Sequence, residues 1–252
     1  MTGHDQYCNG LAYRRPDGTA VIHHMSRSRT SRFRVLLGVV FAATLSAPTA
    51  FAQADQRTLV TAAALTFTSF VSDPDMTWLR RNLGRAKAVM IAPEITKASF
   101  IVGGAGGRAV VVVRDPQSGR WAGPAFYTLA TASLGLQAGV TVSEIVTLVM
   151  TEKGVGTLLS DSFRMGSDVA IAVGPIEAGA RSHFVADLVS FSRGQGVYLG
   201  ANLDGTVVST ADAWNQLYYS QRVQVADILV RKTVHNRQAD ELLNLVATAA
   251  KK

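Results

Sequence analysis

Between residues 103 and 205 the chain alternates short runs of β-branched and apolar residues with glycine, and seventeen glycines lie in this stretch. The clearest runs are residues 88–91, just before it, and 109–113, 145–150, 169–173 and 197–202. Glycines between such runs mark turns. Short strands with frequent turns are typical of antiparallel sheet, because parallel strands need a long crossover between them. We therefore expect a glycine-rich antiparallel β-sheet or barrel-like core.

Helical patterns lie on both sides of this region. Apolar residues recur at helical spacing from Leu59 to Val71, which predicts an amphipathic helix. Asp73 and Pro74 predict the cap and first residue of a shorter second helix that ends near Gly84. Further helical stretches are expected at residues 152–160 and 211–219, and a last helix at 237–249. Since no linker interrupts the chain after Gln53, we expect one α+β domain with N-terminal amphipathic helices and a C-terminal helix.

The first 52 residues have the order of parts found in a secretory signal peptide. A basic stretch is followed by an apolar run from Val35 to Leu45 and then by the small residues of Ala50-Phe51-Ala52. The basic stretch consists of Arg27, Arg29, Arg32 and Arg34. The apolar run is shorter than the ~20 residues that a membrane-crossing helix needs, although a membrane anchor is the alternative. We expect an upstream extension at residues 1–24, a signal peptide at 25–52, and a periplasmic or secreted mature protein beginning at Gln53.

Charge and cysteine content exclude several classes of function. The formal net charge is +7, but six arginines and two aspartates in the first 52 residues contribute +4, so the mature chain keeps +3. A charge this small argues against a nucleic-acid partner. The single cysteine, Cys8, lies in the predicted upstream extension, so the mature domain depends on core burial for its stability.

The mature chain carries no pattern that predicts catalysis, a metal or a cofactor. Its two histidines, His183 and His235, lie in no nucleophile or metal-ligand motif. Residues 104–109 loosely fit a dinucleotide fingerprint, but the valines of residues 110–113 follow where that fingerprint requires a helix. We expect the glycine cluster Gly103–Gly107 to form a tight turn or to allow close backbone packing. Asp204-Gly205 is expected to join two strands as a hairpin.

Six motifs follow one another along the chain. They are Ala86–Pro93, the cluster Gly103–Gly107 with Arg114-Asp115, Trp121 with Pro124-Ala125-Phe126, Leu134–Gly139, Gly174-Pro175, and Phe191–Arg193 with Gly196–Gly200 and Leu203–Gly205. In this order they resemble the SYLF family, a lipid-binding module, and the resemblance implies that Ala86–Pro93 is an opening strand that ends at the proline. Four positions depart from the family pattern: Phe191, Gly194, Gln195 and Asp204. The glutamine replaces a lysine, which weakens any expectation of phosphoinositide specificity. The resemblance covers roughly residues 59–219 and implies a non-enzymatic lipid-binding domain.

A basic cluster near the second helix is the candidate binding site. It comprises Arg80, Arg81, Arg85, Lys87 and Lys97, opposed only by Glu94. The cluster is either an ordinary solvated helix face or a surface that attracts anionic headgroups. In SYLF modules the N-terminal helical, basic region is the reported lipid contact, so the resemblance favours the second interpretation. Since arginines are seldom buried without partners, replacing the three arginines by glutamine is expected to leave stability nearly unchanged.

The first helix has two possible roles in this surface. Its Phe67 and Phe70 either insert into lipid or pack in the core, because both roles require the same apolar stripe. We therefore expect an exported, non-enzymatic SYLF module that contacts anionic phospholipid or a membrane surface, without cofactor. The alternative is an envelope protein that binds a protein partner without lipid specificity.

Overall fold

The computed structural model describes residues 48–99, 102–134, 139–174, 186–194, 197–198 and 203–251. The predicted upstream extension at 1–24 and most of the predicted signal peptide at 25–52 lie outside these ranges, as does His183. The motif Leu134–Gly139 falls largely outside them too, in residues 135–138.

The predicted helices are present, although the first begins at Pro48, eleven residues before the predicted start at Leu59. They are α1 (Pro48–Ser72), α2 (Thr77–Leu83), α3 (Glu152–Leu158), α4 (Asp212–Tyr219) and α5 (Asp240–Ala249), with a π-helical turn at Asp227–Arg231 and a 3₁₀ turn at Arg237–Ala239. The second helix begins later than predicted, because Asp73 forms a turn instead of a helix cap. The Asp73 carboxylate accepts a hydrogen bond from the amide of Asp75 (2.9 Å), and its carbonyl accepts one from the amide of Met76 (3.2 Å). The π-helical turn had no sequence signal.

Nine strands of the described residues form one sheet. They are β1 (Ala88–Ser99), β2 (Val102–Arg114), β3 (Trp121–Leu134), β4 (Gly139–Val149), β5 (Ser162–Arg164), β6 (Ile171–Val173), β7 (Leu188–Gly194), β8 (Val197–Tyr198) and β9 (Val207–Thr210). The order is β5-β9-β3-β2-β1-β4-β7-β6, with β8 paired to β7. Pairing is antiparallel throughout except between β6 and β7. The predicted α+β class is confirmed.

Strand β1 continues through Pro93, where the sequence predicted its end. Proline cannot donate a hydrogen bond to a neighbouring strand, so a proline inside a sheet usually marks a bulge. The register of β1 shifts against β2 between Ile91 and Glu94, and against β4 between Ala92 and Ile95. Beyond the bulge, pairing resumes as far as Ser99.

The glycine cluster Gly103–Gly107 lies within strand β2, so the prediction of a turn is wrong. Among the described glycines with positive φ, none belongs to this cluster. The alternative of close backbone packing is confirmed at Gly107, which pairs with Ile95 directly after the bulge. A Cβ at Gly107 would overlap the carbonyl oxygen of Glu94 and lie 2.7 Å from the Cδ1 atom of Ile95. Only a residue without a side chain fits there.

The turn at Asp204-Gly205 is present, with Gly205 at φ +80° and the amide of Thr206 donating to the carbonyl of Leu203 (3.0 Å). The predicted hairpin around this turn is wrong for the described residues. Strand β9, which follows the turn, has β3 on one edge and β5 on the other, so neither edge is left for the strand before the turn. The antiparallel hairpin in this region is instead β7–β8, in which Arg193 pairs with Tyr198.

Helix α1 is fixed to the sheet by a charged network as well as by apolar contacts. The Arg193 guanidinium donates to the Glu144 carboxylate (2.7 Å) and to the hydroxyl of Ser69 on α1 (2.6 Å). Glu144 also accepts a hydrogen bond from Thr66 (2.9 Å). The guanidinium carbon lies 4.8 Å from the centre of the Phe70 ring. Sequence reasoning placed Arg193 in a family motif but assigned it no role.

Candidate functional site

Arg80, the first member of the predicted basic cluster, has a structural role. Its guanidinium donates to the carbonyls of Val71 (3.5 Å) and Pro74 (3.1 Å), to the hydroxyl of Thr77 (3.1 Å), and to the carbonyl of Asp73. The last carbonyls of a helix have no partner within the helix, so these bonds satisfy the end of α1 and the loop after it. Arg80 therefore stabilises the connection between α1 and α2.

This arrangement corrects the expectation that all three arginines can be replaced without loss of stability. We predict that Arg80→Gln lowers the free energy of unfolding by about 1–2 kcal/mol, because hydrogen bonds from a charged group to several carbonyls are lost. Arg81→Gln should change it by less than about 0.5 kcal/mol, since Arg81 is exposed. Urea denaturation of the two variants measures the difference. Equal stability of both would show that the Arg80 contacts contribute little.

Arg81 and Arg85 are the exposed arginines of the cluster. Within the part of the chain that the structure describes, the Arg81 side chain has no hydrogen bond or ion pair, and the Arg85 guanidinium contacts only the Asn82 amide oxygen, at 3.5 Å. Lys87 is partly exposed and pairs with Glu152 at the start of α3 (2.6 Å). These three residues follow one another around the end of α2, and we call them the basic face.

Lys97 does not join the basic face. It lies near the far end of β1, nine residues beyond Ala88, and at ~3.3 Å per residue this corresponds to about 30 Å. The sequence suggested proximity because the five basic residues fall within about eighteen positions of the chain. Lys97 is exposed, and it pairs with Ala105 on β2 and with Thr141 on β4.

Phe67 and Phe70 are completely buried, at 0% exposure each. The structure therefore places both in the core, and in this conformation neither side chain can contact lipid. The burial of Val60 and Ala63 on the same side of α1 follows the same pattern. Of the two roles left open for the first helix, core packing is the one observed.

A cleft of about 640 Å³ opens beside the basic face, where β1 begins and β2 ends. Four basic side chains line it, against two acidic ones: Arg85, Lys87, Arg114 and Lys232, with Asp115 and Glu152. Sequence reasoning identified the first two and missed Arg114 and Lys232. The pair Arg114-Asp115 belongs to a family motif, but Lys232 lies 117 residues from Asp115 in the chain, and no local pattern predicts that they meet.

The described residues offer little of the chemistry that a catalytic site needs. No group of three or more histidine, cysteine or acidic residues within them could hold a metal ion. His235 is exposed and pairs with Asp240 at 3.1 Å. Burial raises the pKa of the Tyr127 phenol, which therefore remains a donor to the Leu158 carbonyl (2.6 Å). None of the helices within the described ranges combines the length and hydrophobicity that a membrane crossing requires.

The chain is similar to one family model and to several known proteins. Residues 130–249 match the family model described as Ysc84, Las17-binding protein actin regulator. SH3 domain-containing YSC84-like protein 1 of Homo sapiens is 26% identical over 184 residues, which cover 71% of this chain and 53% of that protein. Protein YSC84 of Saccharomyces cerevisiae is 25% identical over 175 residues, which cover 67% of this chain and 37% of that protein.

The chain thus spans about half the length or less of the curated relatives it matches. The early motifs, from Ala86 to Phe126, precede the family-model match but lie in the same sheet as the matched residues. The resemblance inferred from the motifs and these matches identify the same domain. The ordered motifs and these matches together support the SYLF domain family, the family of the Ysc84 model.

Proposed function

We propose that this protein is a non-enzymatic binding module that attaches to anionic phospholipid through the basic face formed by Arg81, Arg85 and Lys87. The observation that carries the proposal is that Arg81 and Arg85 are exposed, four residues apart, and without a carboxylate partner among the described residues. A cleft with excess positive charge adjoins them. Since the arginines contribute little to the fold, a negatively charged partner accounts for their clustering.

Electrostatic attraction supplies the binding energy in this proposal. A basic residue close to an anionic membrane surface contributes about 1 kcal/mol. The three residues of the basic face therefore give weak, reversible attachment, which the cleft strengthens if it receives a headgroup. Phe67 and Phe70 have no part in this contact, because they are buried.

We predict that the double variant Arg81→Gln, Arg85→Gln binds phosphatidylglycerol vesicles at least several-fold more weakly than the parent, with an unchanged melting temperature. The matched control is Arg222→Gln, Arg237→Gln, which removes two exposed arginines outside the cleft. Vesicle co-sedimentation measures all three proteins. If both double variants lose binding equally, net charge rather than the basic face determines attachment. If neither loses binding, the basic face is a solvated surface.

We also propose that the protein is exported to the periplasm or beyond by the signal peptide at residues 25–52. The proposed cleavage before Gln53 falls within α1, so the mature protein would keep residues 53–72 of this helix. N-terminal sequencing of protein recovered from the periplasm or medium should begin at Gln53 or within a few residues. A full-length cytoplasmic product would refute export.

A second candidate function is the binding of a protein partner. The family model is described as a Las17-binding protein, and LAS seventeen-binding protein 3 of Saccharomyces cerevisiae is 25% identical over 175 residues. At the far end of the sheet, Val140 and Val142 of β4 are 67% and 45% exposed, which is a surface that a protein could cover. This candidate predicts that vesicle binding is weak and does not depend on anionic lipid.

A further inference from the structure

The cleft holds more cationic groups than its carboxylates neutralise. Lys87 is paired with Glu152, and Lys232 with Asp115. Arg85 and Arg114 also line the cleft, and neither has a carboxylate partner among the residues that the structure describes. Two positive charges are therefore left over. An anion with two negative charges would balance them.

Two of the cations are held in place before any ligand binds. The Arg114 guanidinium donates to the carbonyl of Gly84 (2.6 Å), which fixes it against the end of α2. Asp115 accepts hydrogen bonds from the amides of Gln117 (2.9 Å) and Ser118 (2.6 Å), so the carboxylate that orients Lys232 is itself fixed. Binding by preorganised groups avoids the entropy of ordering long side chains.

The backbone that presents Lys232 is unusual. Lys232 has φ +53°, in the left-handed region that residues other than glycine seldom adopt, and it ends the π-helical turn Asp227–Arg231. Conformations of both kinds are enriched at functional sites, where the surrounding structure maintains them at some cost in stability. This observation is independent of the charge count and concerns the same cleft.

The shape of the cleft suits a small ligand with an apolar part. Its volume of about 640 Å³ lies within the range of ligand pockets. Val155, Leu229 and Val230 form apolar portions of its wall. Two uncompensated guanidinium groups beside apolar side chains fit a phosphoryl group on an organic alcohol, because arginine forms paired hydrogen bonds with phosphate oxygens.

We propose that this cleft binds a phosphoryl group, with Arg85 and Arg114 as its principal contacts. Lys87 turns to the ligand from Glu152, and Lys232 stays beside it, held by Asp115. The inference rests on the proposed function in one respect, namely that a phospholipid headgroup is one source of such a group. A soluble phosphate monoester is the other source. In both cases Glu152 competes with the ligand for Lys87.

The competition predicts a gain of binding. Glu152→Gln should tighten binding of glycerol 3-phosphate, measured by calorimetry, by roughly three- to tenfold, because it releases Lys87 and removes a repelling charge. The matched control is Glu241→Gln. Glu152 and Glu241 are both exposed glutamates in the first turn of a helix, but Glu241 lies outside the cleft. Arg85→Gln should weaken binding several-fold, and inorganic phosphate should compete.

The outcomes separate this proposal from the function proposed above. The proposed phosphoryl site is overturned if phosphate shows no saturable binding and if Glu152→Gln and Glu241→Gln bind vesicles equally. This holds even if vesicle binding still requires Arg81. Tighter glycerol 3-phosphate binding by Glu152→Gln, but not by Glu241→Gln, supports the phosphoryl site. If no vesicle binds, this result indicates a soluble ligand. Tighter binding to phosphatidylglycerol vesicles by Glu152→Gln alone supports the cleft with lipid as its source.

Discussion

Replacing Gly107 by alanine is expected to lower the free energy of unfolding by about 2–3 kcal/mol, which is roughly 5–10 °C in melting temperature for a domain of this size. The added Cβ would overlap the Glu94 carbonyl oxygen, which is backbone and can move only if the bulge in β1 moves with it. Interiors packed to crystal-like density tolerate such overlap poorly.

Gly106→Ala is the matched control for this prediction. Its Cβ would lie 3.5 Å from the Leu129 carbonyl oxygen, an ordinary van der Waals contact. Both substitutions remove a glycine from the same strand, so they restrict the unfolded chain equally. Thermal unfolding should show a large loss for the first variant and almost none for the second. Similar losses in both would mean that the close approach of β1 to Gly107 is not present in solution.

Arg193→Met is expected to be the most damaging substitution of a charged residue, with a loss of about 3 kcal/mol. It leaves Glu144, whose side chain is 33% exposed, without its cation. It also removes the hydrogen bond to Ser69 and the contact with the Phe70 ring. Arg231→Met is the control, because Arg231 forms a surface pair with Asp227, and pairs of this kind contribute little to stability.

A double-mutant cycle with Glu144→Gln isolates the pair itself. If the charged network holds α1 on the sheet, Arg193→Met should cost much less in the Glu144→Gln background than in the parent. Denaturation in urea provides the four free energies. Additive losses would indicate that Arg193 contributes through packing on Phe70 or through its second carboxylate partner, Asp73 (3.5 Å), rather than through Glu144.

Local patterns predicted most of the helices and the strand-rich middle of the chain. The helical spacing from Leu59 to Val71 and the strand at residues 109–113 were predicted correctly, because amphipathic periodicity and β-branched runs depend on neighbours in sequence. The sequence predicted that β1 ends at Pro93, whereas the strand continues to Ser99. A proline within a strand is compatible with pairing only if a bulge accommodates it, and the bulge is a tertiary feature.

The candidate site was predicted only in part, for a similar reason. Arg80 and Arg81 are adjacent and look equivalent in sequence, yet one binds the end of α1 and the other faces solvent. That difference depends on how the two helices are oriented at the Asp73 turn. Lys232 joins the cleft through contacts across more than a hundred residues, which composition and spacing do not encode.

In the proposed function, the folded domain recognises negative charge on a lipid surface. The most direct measurement is co-sedimentation of the purified protein with vesicles of phosphatidylcholine alone and with vesicles that also contain phosphatidylglycerol, each at low and high salt. We predict binding only to the anionic vesicles. Binding should fall steeply as salt rises, because the Debye length shortens from ~10 Å at 0.1 M to ~3 Å at 1 M. Equal binding to both kinds of vesicle, or none to either, would contradict the claim.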